Sequence, residues 1–176
     1  ATLADRYGLL LVAPTEAYEP YRKQGWSYHP DGYERMQEAL RFVRRHYDVD
    51  EDRIMLAGLR GGGHMAWDVG IRFADQFAAI LPANGSPRLG TPFRDSNMAY
   101  LESIAHVPVH SLHWGKQEDA QVHSVNRAIE VLRRFGAKDA KRLDHLSQLD
   151  ALNPNLPGWP AFFATRRTVP KLLVKF

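Results

Sequence analysis

The chain has no cysteine. That excludes a disulfide framework, thiolate catalysis and cysteine-bound zinc. No apolar run is long enough to cross a bilayer as a helix, so no membrane span is expected. An excess of charge of one sign is lacking too: 23 Lys and Arg against 20 Asp and Glu leave a formal net charge of +3 over 176 residues. The basic residues are scattered along helical patterns instead of gathering in a stripe, which argues against a nucleic-acid surface. The sequence pI near 9.3 therefore identifies no partner. Internal repeats and low-complexity segments are also missing. What is present is an apolar content of 44%, enough for a proper core in a chain one domain long.

Hydrophobic spacing supplies the elements. Tyr33, Met36, Leu40, Val43 and Tyr47 recur at three to four residues, with Glu34, Arg35, Glu38, Arg41 and Arg44 on the other face, so Asp31 to Tyr47 reads as an amphipathic helix. Val122, Val125, Ile129, Leu132 and Phe135 repeat the pattern until Gly136 stops it. Short apolar runs at Leu9 to Ala13, Arg53 to Ala57, Phe77 to Pro82 and Val107 to His113 read as strands, with a weaker one at Ala140 to Leu143. Strands alternating with helices predict an α/β fold with a mostly parallel sheet covered by helices on both faces. The loops from Thr15 to Pro30 and from Gly85 to Tyr100 are expected to wall the carboxyl edge of that sheet, where ligands bind in such folds. Trp159 to Thr165, with Trp159, Phe162 and Phe163 close together, is expected to be a helix packing in the core.

One motif stands apart: Leu56-Ala57-Gly58-Leu59-Arg60-Gly61-Gly62-Gly63-His64, a buried strand running through four glycines within six positions into a helix over His64 to Phe73. Strand, sharp turn, helix is the context of a nucleophile elbow. Glycines at Gly58 and Gly62 would let strand and helix approach closely, and Arg60 would sit strained at the apex. The nucleophilic serine of such an elbow is replaced here by arginine. A guanidinium has no lone pair for an acyl carbon and never becomes a usable base at ordinary pH.

The stretch Asp52 to Gly85, including Gly58 to Asp68 and Phe77-Ala78-Ala79-Ile80-Leu81-Pro82-Ala83-Asn84-Gly85, resembles the α/β-hydrolase superfamily, and within it the esterase and prolyl-oligopeptidase-like branch. The likeness continues through Val107 to Gly136 and weakens from Lys138 onward. It implies an α/β-hydrolase fold, and a catalytic triad whose acid and histidine follow the elbow in that order. His113-Trp114-Gly115-Lys116-Gln117-Glu118-Asp119-Ala120-Gln121-Val122 resembles the family's acid turn. Counting from Gly115 favours Glu118, and counting back from Val122 favours Asp119; a solvated acidic turn at a helix N-terminus is the other reading of both. The base falls on His145, although the family's Gly-His pair is Asp144-His145 here. A surface histidine at a helix start is the competing reading. Gly61, the residue after the apex, is the expected amide of an oxyanion or anion site.

His64 is expected to pack behind the elbow. His106, His110, His113 and His123 suggest no metal site, because His110 and His113 point to opposite faces of a strand. Among the serines, Ser86 is the nearest substitute nucleophile, in a loop rather than a tight turn. Arg60 at a helix N-terminus would favour a carboxylate or phosphate, or would pair internally with Glu118 or Asp119.

Relative to the resembling family, residues 1–176 read as a single partial α/β-hydrolase-like domain, a fragment whose earlier strands, with one oxyanion-hole amide, are missing. A further β-rich region is expected beyond the strand-like run at the C-terminus. The sequence thus implies a degenerate esterase or peptidase frame, with a small acyl or anionic ligand as partner and no cofactor. An active ester or peptide hydrolase with an unrecognised nucleophile is the alternative.

Overall fold

The computed structural model describes residues 3–14, 30–87, 97–115, 119–145, 147–151 and 153–168. Four strands form one sheet: β1 (Met55–Leu59), β2 (Ala79–Ala83), β3 (Val109–Trp114) and β4 (Ala140–His145), in the order β1-β2-β3-β4. All three pairings are parallel, with Met55 opposite Ala79, Ile80 opposite Val109 and Val109 opposite Ala140. A parallel neighbour demands a crossover rather than a hairpin. The crossovers carry α3 (Gly61–Arg72) between β1 and β2, a 3-10 stretch (Asn97–Ile104) between β2 and β3, and α4 (Asp119–Arg134) between β3 and β4. Every strand therefore ends on the same edge, and that edge receives the residues following Leu59, Ala83, Trp114 and His145.

Strand alternation divides the core. On one face Leu56, Ile80 and Val109 meet Ala66, Trp67 and Ile71 of α3 and Val125, Ile129 and Leu132 of α4. The helix α2 (Pro30–His46) adds Tyr33, Met36 and Leu40 against Met65, Val69 and Phe77, as its amphipathic pattern requires. On the other face Met55, Ala79, Leu112 and Leu143 meet Trp159, Phe162 and Phe163 of α6 (Trp159–Phe163) and Tyr7 of α1 (Leu3–Tyr7). Trp67 and Trp159, at 0% and 3% exposure, anchor the two sides. Truncating either to alanine removes on the order of 3 to 5 kcal/mol. Burial on both faces explains why the central strand β2 reads as a continuous apolar run; β3, equally central, buries His110, Ser111 and His113 among its apolar residues.

Several boundaries differ from expectation for local reasons. β1 starts at Met55 instead of Arg53, because Asp50 accepts from the Asp52 amide and caps a 3-10 turn over Glu51–Arg53. The helix after the glycine-rich turn begins at Gly61 rather than His64. A short helix α5 (Gln148–Ala151), unexpected from hydrophobic spacing, follows β4. Leu9 to Ala13 is no strand: these residues pair with none of the four described strands, and Leu10, Leu11 and Val12 are 54%, 80% and 39% exposed. An apolar run becomes a strand only where a neighbour offers its backbone groups. The loop 15–29 and the strand-like run 169–176 lie outside the described residues, as does 88–96 of the second expected wall.

Candidate functional site at the carboxyl edge of the sheet

Between Leu59, the end of β1, and Gly61, the start of α3, stands one residue. Arg60 turns the chain there with φ 52° and ψ −111°. That is outside the left-handed helical basin tolerated by some side chains and in a region favourable only to glycine. The surroundings hold it. The Arg60 amide donates to the Ala83 carbonyl at 2.8 Å, and the Arg60 carbonyl accepts from the His64 amide at 3.0 Å. A methyl group on Gly58 would overlap the Gly62 carbonyl, and one on Gly63 would approach the Ala83 oxygen to 2.5 Å. Close approach of strand and helix thus requires Gly58 and Gly63, whereas a side chain on Gly62 itself would meet nothing within 4 Å, a correction to the sequence reading. Gly85 completes the contact, since its Cβ would lie 2.7 Å from Gly63 Cα.

The Arg60 side chain is exposed and makes no capping bond to α3, nor any hydrogen bond or ion pair among the described residues. Gly61, the first residue of α3, has open space where a side chain would stand. Its amide belongs to the first turn, whose N–H groups have no partner within a helix.

His64 is held by Ser86. Its Nδ1 lies 2.8 Å from the Ser86 carbonyl oxygen, 3.1 Å from the Ser86 amide and 3.5 Å from Ser86 Oγ. One ring nitrogen thus ties the first turn of α3 to the segment after β2. Asn84 extends the tie to β3: its Oδ1 accepts from the Trp114 amide at 3.0 Å, and its Nδ2 donates to the Trp114 carbonyl at 3.3 Å. Gly115, at φ 71°, then opens the turn in which the acid was sought. Glu118 and the side chain of Asp119 lie outside the described residues, and with them the expected ion pair to Arg60.

His145 is the last residue of β4, opposite Trp114 in register, instead of following the strand. Its side chain is 13% exposed, with Nδ1 3.6 Å from Asp150 Oδ2. Its Nε2 is buried and has no hydrogen-bond partner among the described residues. Arg60 and His145 therefore both stand at the carboxyl edge, on opposite flanks of the sheet. Three strand spacings separate them, about 14 Å. Asp150 escaped the sequence reading, although a signal existed: Ser147 followed by Asp150 is a helix-start pattern. The Asp150 amide does donate to Ser147 Oγ at 3.1 Å.

Other polar groups lie elsewhere. Ser111 Oγ and His113 Nε2 are 2.8 Å apart on the α4 side of β3, but the two residues are 0% and 2% exposed and no substrate reaches them. His110 Nε2, on the opposite face, meets Asp139 Oδ2 at 2.7 Å near the amino edge of the sheet, away from Arg60. Burial pushes the His110 imidazole below its usual range, against the hydrogen bond and charge of Asp139, which raise it. Burial would raise the Asp139 carboxyl, but hydrogen bonds from Lys141 and His110 outweigh it and hold the carboxyl below its usual range. Among the described residues, no group of three or more His, Asp or Glu could hold a metal, and no helix is long and apolar enough to cross a membrane.

Neither a family model nor a curated protein matches the sequence. Solved structures do match. A thermostable esterase superposes with a TM-score of 0.57 at 20% identity, covering 75% of this chain and 36% of that one. The acylaminoacyl peptidase of Pyrococcus horikoshii superposes with a TM-score of 0.59 at 13% identity, covering 81% of this chain and 29% of that one. This chain therefore spans roughly a third of either structure, and identities this low speak for the fold alone. With four parallel strands, helices on both faces and these two likenesses, the chain has the α/β-hydrolase fold.

Proposed function

We propose that this chain is a hydrolase-like domain of the esterase and peptidase type whose acyl-transfer chemistry has lapsed, because Arg60 occupies the position of the nucleophile. The observation that carries the reading is the backbone of Arg60. A non-glycine residue at φ 52° and ψ −111° between a strand and a helix is the arrangement that exposes a nucleophile at an elbow. Such strain persists only where the surroundings over-determine it. The side chain presented there is a permanently charged guanidinium, which cannot attack a carbonyl. Losing a serine nucleophile removes several orders of magnitude of rate and leaves only the contribution of binding and oxyanion stabilisation. The domain then serves as a binding or structural module. A small acyl or anionic ligand would meet the Gly61 amide beside the Arg60 guanidinium.

A second reading, an active ester or peptide hydrolase, draws on Ser86, whose Oγ lies 3.5 Å from His64 Nδ1 close to the elbow. Against it, the same nitrogen also faces the Ser86 amide and carbonyl, and Ser86 is only 7% exposed. Labelling with a fluorophosphonate, followed by mass spectrometry of the modified residue, separates the two. The first reading expects the native protein to stay unlabelled and Arg60→Ser to be labelled at position 60. Labelling of the native protein at Ser86 or another serine overturns it in favour of the second.

A further inference from the structure

We propose that Asp150, on the helix following His145, is the carboxylate partner of that histidine and fixes its tautomer, leaving Nε2 as a proton acceptor at the carboxyl edge of the sheet. The resemblance implies an acid at Glu118 or Asp119, in the turn after β3. A carboxylate nearer at hand comes from the other side. His145 ends β4, Ser147 Oγ accepts from the Asp150 amide as α5 begins, and Asp150 Oδ2 comes within 3.6 Å of His145 Nδ1. Strand end, cap and first helical turn thus hold histidine and carboxylate in one short segment. Little chain entropy is lost in bringing them together, since only four residues separate them.

Which nitrogen faces the carboxylate decides the chemistry. A neutral imidazole carries one proton, and a carboxylate beside Nδ1 favours the tautomer with that proton on Nδ1. The lone pair then resides on Nε2, the atom buried without a partner among the described residues. A buried ring nitrogen left unpaired is unfavourable, and it shares that state with Gln37 Nε2, Trp67 Nε1, Gln76 Oε1 and His106 Nε2 among the described residues. A free lone pair on Nε2 is the protonation state a general base requires. Asp150 is a positioning residue in this arrangement, acting through His145. The purpose of the pair, acid–base assistance to a hydroxyl at the carboxyl edge, belongs to the chemistry that lapsed with the serine and rests on the hydrolase-like reading above; the pair itself does not.

The test is the tautomer of His145, read from long-range proton–nitrogen correlation spectra of the whole chain labelled with nitrogen-15. Spectra are taken at alkaline pH, where imidazole is neutral, and the signals are assigned by their loss in His145→Gln. The expected result is the Nδ1–H pattern in the native protein, its loss in favour of Nε2–H in Asp150→Asn, and its retention in Asp150→Glu. Glu118→Gln and Asp119→Asn leave it unchanged. A native Nε2–H pattern, or a pattern indifferent to Asp150→Asn, overturns the assignment, and a change in Glu118→Gln or Asp119→Asn transfers the role to the β3 turn. Amide spectra of each variant report folding, and Asp150→Glu restores the carboxylate should the asparagine perturb α5. If the tautomer follows Asp150 while Arg60→Ser stays inert to fluorophosphonate, the pair stands and the hydrolase reading falls.

Discussion

Replacing Arg60 by glycine should stabilise the protein, an unusual expectation for a substitution at the centre of a proposed site. At φ 52° and ψ −111° the arginine sits where its Cβ crowds the backbone. A side chain held in such a region costs on the order of 1 to 3 kcal/mol. Its guanidinium recovers none of this among the described residues, having no hydrogen bond or ion pair there. Glycine removes the strain but adds freedom to the unfolded chain, which takes back about 0.5 to 1 kcal/mol. The net gain is about 0.5 to 2 kcal/mol, and for a chain of this length each kcal/mol moves Tm by roughly 2 to 4 °C. Arg60→Ala is the control: it removes the guanidinium and keeps the Cβ, so it should leave stability close to native. Urea unfolding of native protein, Arg60→Ala and Arg60→Gly measures the difference. Were the glycine variant no more stable than the alanine variant, Arg60 would not be strained, and the elbow reading would lose the observation that carries it.

Two further outcomes follow from the packing and the charges. Gly58→Ala should destabilise by about 3 kcal/mol or more, at or above the top of the usual range for overpacking, because the added methyl overlaps the Gly62 carbonyl and reaches within 3.0 Å of the Gly63 nitrogen, both backbone. Gly62→Ala, whose methyl meets nothing within 4 Å, should cost far less in the same urea titration; equal losses would refute the strand–helix contact. Stability should also fall on acidification in two windows. Burial holds the His110 imidazole below its ordinary value of about 6.5, so the unfolded chain binds the proton more readily, and stability complete above that value is lost as pH drops toward the folded one. Hydrogen bonds from Lys141 and His110, outweighing burial, hold Asp139 below 3.8, so its contribution is present above that value and disappears beneath it. Unfolding free energies between pH 8 and 5, with His110→Asn expected to flatten the slope, test the first window; stability that rises on acidification contradicts the assignment.

Much of the fold was legible in residue spacing. The periodic apolar positions of α2 and α4, and the unbroken apolar run of β2, follow from what each face must bury, and that requirement is local enough to be written in the chain. The strand Leu9 to Ala13 was misread for the converse reason. Its composition suits a strand, but a strand exists only as one side of a ladder, and no sequence pattern reports whether the other side is present. Gly58 and Gly63 were visible as glycines. Which of the four glycines is sterically required depends on where the Gly62 carbonyl and Ala83 oxygen come to rest.

The sequence by itself determined the chemistry available at the apex. Arginine at position 60 is a fixed cation whatever surrounds it, and four glycines around it announce a tight strand-to-helix turn, because covalent structure and backbone sterics act within a few residues. Only the tertiary structure decided what meets what. It brought Ser86 to His64 and Asn84 to Trp114, set Arg60 and His145 on opposite flanks of one sheet edge, and turned Asp150 rather than a described neighbour on β3 toward His145 Nδ1. Those relations depend on strand order and on the register of parallel pairs, which are settled by the packing of both faces of the sheet at once.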